Sequence, residues 1–207
     1  MRILPILFNT EMVRAILDGR KTCTRRLIRK HIENKYLEYD EWVRAVAPPG
    51  STYLREKELY EQYPPYQSGD TLYVRETWCG LPVNEAGHMR GHTIYYYKAD
   101  GELRPKGWRG TWHPSIHMPK EAARIWLKVT DVRVERLQKI TDKDAEQEGA
   151  QPDYPFDYAV DKWPNLEHFK EIWNSTIKKS DIDRYGWDAN PYVWAISFER
   201  CEKPEVN

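Results

Sequence analysis

The densest group of residues able to do chemistry is Gly19-Arg20-Lys21-Thr22-Cys23-Thr24-Arg25-Arg26. Lys21, Arg25 and Arg26 supply cationic donors, and Thr22 and Thr24 supply hydroxyls. Gly19 sets the amides that follow it at a turn. That combination suits a phosphate or a polar base edge. Lys21 and Thr24 stand three apart, so around a turn they can meet as base and nucleophile. A lysine desolvated beside arginines loses its proton more readily, and its neutral amine can then take the threonine proton. The second group is Tyr73-Val74-Arg75-Glu76-Thr77-Trp78. A carboxylate there can hold Lys21 charged or shuttle a proton. Taken alone, each group has an ordinary explanation, since a single glutamate is more often an ion-pair partner than a catalyst.

Two other sets of residues carry chemical groups. Cys79, His88, His92, His113 and His117 lie in two neighbouring stretches, and His88/His92 and His113/His117 are each four apart, a ligand spacing on a helix. Gly91 sits inside the first pair and Pro114 inside the second, so no metal site is expected. Trp78, Trp108 and Trp112 can stack on a base or pack in the interior. Cys23 lies within the first cluster, but nothing pairs it with a histidine, and it reads as a small buried residue.

The elements that must position these groups follow from periodicity. Residues 2–8 read as a short buried strand. Thr10 is a candidate helix N-cap with Glu11 in the first turn, and Met12, Val13, Ile16 and Leu17 form one apolar stripe that Gly19 ends. Residues 20–26 therefore emerge in turn or extended backbone. Residues 71–77 and 93–98 read as strands, and 104–119 as an ordered loop. Ile125, Leu127 and Val129 alternate, and Val132 and Val134 continue on the opposite parity. The shift at Thr130-Asp131 predicts a bulge or corner. Thr141 with Asp144 looks like a capping pair for a short helix that Gly149 ends. A second helix, with Leu166, Phe169, Ile172, Trp173 and Ile177 on one face, starts after Pro164. Residues 192–199 form a last strand. Many short strands and few helices favour a small curled sheet or barrel over a doubly wound sheet.

Composition sets the bounds. The 207 residues suffice for one domain with its own core. A 40% hydrophobic share excludes a membrane span, and the apolar run at residues 3–8 is too short for a signal-peptide core, so a cytoplasmic protein is expected. Three widely spaced cysteines exclude a disulfide framework. The zero net charge hides a segregation. Residues 12–30 carry seven cations against one acid, a net +6, and residues 141–171 carry nine acids against three lysines, a net −6. The basic stretch can bind a polyanion locally, although such runs are more often solvated faces.

The motifs become specific when read together. Residues 5–8, 12–26 and 69–78, Ser115-Ile116-His117-Met118-Pro119 and residues 124–137 resemble an ASCH-domain protein, of the longer type commonly encoded by phages and prophages. The most specific part is the G-x-K-x-x-T-x-R pattern at Gly19, Lys21, Thr24 and Arg26 or its neighbour Arg25. The resemblance covers nearly the whole chain, treated as a single domain over 1–207, apart from an insertion at about 31–68. That insertion, rich in tyrosine and charge, reads equally as a lid, a partner surface or a packed insert.

The resemblance implies an α+β fold, a PUA-like small β-barrel with peripheral helices and a cleft over its mouth. It implies RNA or a modified nucleoside as partner. Small ASCH proteins are amidohydrolases that deacetylate N4-acetylcytidine, and their Lys, Thr and Glu correspond to Lys21, Thr24 and Glu76. Gly19, Arg20, Arg25, Arg26, Arg75 and Trp78 would then bind the ligand. On this reading Thr24 attacks the acetyl carbonyl, Lys21 is the general base, backbone amides after Gly19 or an arginine hold the oxyanion, and Glu76 orients Lys21 or passes a proton to the leaving amine. A lysine-activated hydroxyl needs no metal or cofactor. The alternatives are a non-catalytic reader of RNA or modified bases, and a metal-independent ribonuclease. This chain is about twice the length of the small enzymes.

Overall fold

Ile3–Leu7 (β1) begins the chain as an edge strand, where Pro5, with no amide to give, is tolerated. In this computed structural model the described residues are 1–28, 60–61, 64–83, 92–101, 110–151 and 164–205. Most of the expected insertion lies outside them, as do Arg29, Lys30, His88 and Trp108. The architecture is mixed α+β, and the chain divides into two compact units, each discontinuous in sequence. Unit 1 comprises Met1–Thr22, Ser68–Thr130 and Phe198–Asn207. Unit 2 comprises Cys23–Gln67 and Asp131–Ser197.

In unit 1, β1 pairs in parallel with Thr71–Arg75 (β3), which pairs antiparallel with the first half of Trp126–Arg136 (β6). The helix Thr10–Leu17 (α1) follows β1. Its N-cap is Asn9, whose side-chain oxygen accepts from the Met12 amide at 2.8 Å, so Thr10 is the first helical residue rather than the cap. Gly19 ends it with φ of +76°, and the Ala15 carbonyl accepts from the amides of both Arg20 and Lys21 at 2.9 Å. Trp78–Val83 (β4) and His92–Tyr97 (β5) form a separate antiparallel hairpin. Met118, Ala122, Ala123 and Trp126 form a buried cluster, with Tyr73, Trp78, Tyr95 and Tyr97 packed against it.

In unit 2, Cys23–Leu27 (β2) pairs antiparallel with Tyr192–Cys201 (β7), from Cys23 opposite Ser197 to Leu27 opposite Val193. β7 neighbours β6 in the sheet order. The predicted parity change in β6 is present, since Leu127 and Val129 are buried on one parity and Val134 on the other. The strand nevertheless runs unbroken, and the division between the two units falls at Thr130 and Asp131.

Asp142–Gln147 (α2) starts on a complete capping box, with Thr141 and Asp144 bonded reciprocally. Pro164–Thr176 (α3) is tied to it, because Asp142 accepts from Asn165 Nδ2 and from the Leu166 amide, each at 2.9 Å. Leu137, Ile140, Ala145, Phe169, Trp173 and Val193 form the core between these helices and the strands. A short helix, Ile182–Tyr185 (α4), follows.

Among the described residues no strand pairing closes a barrel. The strand orders are β1-β3-β6 in unit 1 and β6-β7-β2 in unit 2. None of their helices is long and apolar enough to cross a membrane, and no group of three or more His, Cys, Asp or Glu is placed to hold a metal ion.

Candidate functional site

The geometry of unit 1 begins with the parallel pairing of β1 and β3. Just past their paired residues, the Phe8 amide donates to the Arg75 carbonyl at 3.1 Å. Phe8 and Glu76, the residues directly after the two strands, therefore stand at the same carboxyl-terminal end. Lys21 extends Nζ over the Phe8 ring, 5.5 Å from the centroid. Lys21 and Glu76 are 3% and 1% exposed, so two charged side chains of one unit are withdrawn from water at this end. Such burial is costly unless each group is paired.

Glu76 is paired with Arg124, just before β6. Arg124 Nε donates to Glu76 Oε1 at 3.0 Å and Nη2 donates to Oε2 at 3.1 Å, a bidentate fork, while Nη1 donates to Asp100 at 2.7 Å. The guanidinium carbon also sits 4.0 Å from the centroid of the Tyr97 ring. The Glu76 amide faces Met118 Sδ at 3.2 Å. Burial pushes the Glu76 carboxyl above the ordinary range, and the hydrogen bonds and charge of Arg124 pull it part of the way back. Burial likewise pushes the Tyr97 hydroxyl up to about 12, so it stays protonated and donates to the Ala122 carbonyl at 2.6 Å.

The remaining unit 1 residues have defined contacts. Arg75 donates to the carbonyls of Met118, at 2.8 Å, and of Ile116, which fixes the turn Ser115–His117. Trp78 and His113 exchange backbone hydrogen bonds at 3.2 and 2.7 Å, and their rings meet tilted by 36° with centroids 5.0 Å apart. Among the described residues, Trp78 Nε1 is the buried side-chain polar atom without a partner. His113 is exposed. Arg20 pairs with Asp18 at the surface, 2.9 Å away.

Thr24, Arg25 and Arg26 belong to unit 2 as residues of β2, and Thr24 is buried. The Arg25 side chain is 1% exposed. It reaches Glu135 at 2.7 Å, Glu148 at 3.4 Å and Asp144 at 3.9 Å. Burial works against its charge, but Glu148 and Glu135 outweigh that and hold it. Arg26 is half-buried, and burial lowers its proton affinity against the charges of Tyr66 and Glu148.

Sequence reasoning missed Arg124 and the carboxylates around Arg25. Arg124 lies 48 residues from Glu76, and Glu135 lies 110 from Arg25, so no local spacing links either pair.

A solved ASCH-domain structure from Lactobacillus crispatus JV V101 is similar to this chain, with 11% sequence identity and a TM-score of 0.41, covering 96% of this chain and 79% of that one. No protein-family model and no curated protein matches the sequence.

Proposed function

We propose that the chain is an ASCH-type, PUA-like domain that binds RNA or a modified nucleoside and hydrolyses an aryl amide of the N4-acetylcytidine kind. The observation that carries this reading is the burial of Lys21 and Glu76 at one end of the β1–β3 pair. A lysine and a glutamate kept from water are costly to the fold, and such groups cluster where chemistry is done.

In the proposed reaction Lys21 takes the proton of Thr24 Oγ1, which attacks the acetyl carbonyl. The C–N bond breaks, cytidine leaves with its exocyclic amine protonated to NH2, and water hydrolyses the acetyl-threonine ester to acetate. Thr24 enters through its place in the Gly19–Lys21–Thr24–Arg26 pattern. A non-catalytic reader is the second reading, favoured by the exposed His113 beside Trp78, an aromatic pair at the surface of the kind that bases stack on.

The test is turnover. Wild type and Lys21→Ala are incubated with N4-acetylcytidine and with total RNA, and the products are separated by chromatography. Cytidine formed by wild type alone supports the amidohydrolase. Shortened RNA replaces it with a ribonuclease. Salt-sensitive RNA binding without product moves the assignment to the reader.

A further inference from the structure

We infer that Arg124 is a positioning residue that fixes Glu76 as a hydrogen-bond-accepting anion, so that Glu76 orients the ligand or Lys21 and carries no proton in the reaction. This rests on the reading that Glu76 belongs to the ligand site.

The argument is geometric. Two parallel N–H···O bonds, at 3.0 and 3.1 Å, reach the two different oxygens of Glu76 from one planar guanidinium. Such a fork approaches along the carboxylate's inner lone pairs, the ones on which a carboxyl proton is best held. Only the outer lone pairs remain, and these accept hydrogen bonds readily but hold a proton poorly.

Beyond Glu76, Arg124 is itself fixed by two more groups, one of them anchored in turn. Asp100 takes its third nitrogen at 2.7 Å, the Tyr97 ring lies against its face at 4.0 Å, and the Tyr97 hydroxyl is tied to Ala122. Among the described residues, the charged and titratable groups acting with Glu76 are Arg124 before β6, Asp100 in the turn Lys98–Asp100 and Tyr97 on β5; Lys21 lies over Phe8, the residue directly after the neighbouring strand β1. A planar fork held this way sets the direction as well as the charge of the carboxylate, which a lysine cannot do. The proton balance of the reaction follows. The proton Lys21 takes from Thr24 is the one it returns to the exocyclic amine, and none passes through Glu76.

The test compares wild type with Arg124→Lys, which keeps a cation beside the buried carboxylate but loses the fork. The first measurement is a carbon-13 carboxyl NMR titration of Glu76 without ligand. The titration midpoint is expected to rise by about one pH unit in Arg124→Lys, a tenfold change in acid constant. An unchanged midpoint overturns the inference.

The second measurement is the pH profile of kcat/KM on N4-acetylcytidine. Activity should fall on the acid side as Glu76 takes up a proton, and that limb should move with the NMR midpoint in Arg124→Lys. Activity that rises as Glu76 is protonated would make Glu76 the proton donor and overturn the inference. If wild type neither binds nor hydrolyses N4-acetylcytidine, the proposed function fails, and the ligand-free titration still decides whether Arg124 fixes Glu76.

Discussion

Arg25 and Glu135, 110 residues apart in the chain, meet through two contacts to one carboxylate oxygen, from Nε at 2.9 Å and Nη2 at 2.7 Å. The arginine side chain is almost wholly buried, and Glu148 lies on its other side. A guanidinium so engaged has little left to offer a phosphate. Its removal leaves three carboxylates, Glu135, Glu148 and Asp144, without their common cation, Glu148 among them buried. Arg25→Met should therefore destabilise the fold by about 3–5 kcal/mol. Urea unfolding of the two proteins measures this. A loss below about 1 kcal/mol would place Arg25 among exposed, weakly coupled ion pairs instead.

The capping box at α2 predicts acid sensitivity. Asp144 accepts from the Thr141 amide at 2.9 Å and from its hydroxyl at 2.7 Å. Burial pushes the Asp144 carboxyl up, but the two Thr141 bonds, with Arg25 and Arg133, outweigh it and hold the group below the ordinary aspartate value. Because the folded value is depressed, the contribution is complete above the unfolded value and is lost as pH falls through the folded one. Thr141→Ala should cost about 1 kcal/mol at neutral pH, and less in acid, where a protonated Asp144 accepts weakly from the Thr141 hydroxyl and only the bond from the Asp144 amide to Thr141 Oγ1 keeps its full worth. Unfolding midpoints along a pH series check this. A penalty constant with pH would mean that Asp144 is not held low by Thr141.

Those two regions differ in how far the sequence foretold them. The α2 box is contained in four residues, so Thr141 and Asp144 were legible from spacing. The apolar face of α3 and the switch of parity in β6 were legible for the same reason, since each is a periodic pattern within a single element. At α1 the stripe was right and the cap was off by one, because Asn9 and Thr10 are both good caps and the choice depends on where β1 ends. The predicted strand over residues 71–77 stops at Arg75, and a new strand starts at Trp78, whose backbone bridges to His113. That break is a tertiary pairing, invisible to local propensity. The polar groups follow the same division. Lys21 and Glu76 were identifiable by residue type, whereas the partners that fix Glu76 and Arg25 come from distant strands and turns.

Gly80 controls the position of Trp78. A Cβ there would stand 2.9 Å from Thr93 Cγ2 and 3.2 Å from Trp78 Cζ3. Gly80→Ala must push the indole, the threonine or both, at a cost of about 1–3 kcal/mol. Trp78 emission should shift, measured against a Trp78→Phe control. Adding Thr93→Ser, which removes the nearer methyl, should recover part of the stability. An alanine variant with wild-type stability and emission would show that the hairpin relaxes without strain.

Lys21 offers the sharpest separation of chemistry from stability. Its alkyl stem and Nζ are buried over Phe8. Methionine matches the length of that stem and keeps contact with the ring, so Lys21→Met preserves the apolar packing that alanine would lose. A general base removed at this position should lower kcat on N4-acetylcytidine by roughly 10²–10⁴-fold. Removing one member of a set of buried polar contacts also lowers stability, so kcat is read at a temperature where urea unfolding shows both proteins fully folded. If Lys21 serves only to hold the strand ends together, Met lowers the unfolding midpoint but leaves kcat of the folded protein within a fewfold of wild type, and the general-base role is withdrawn.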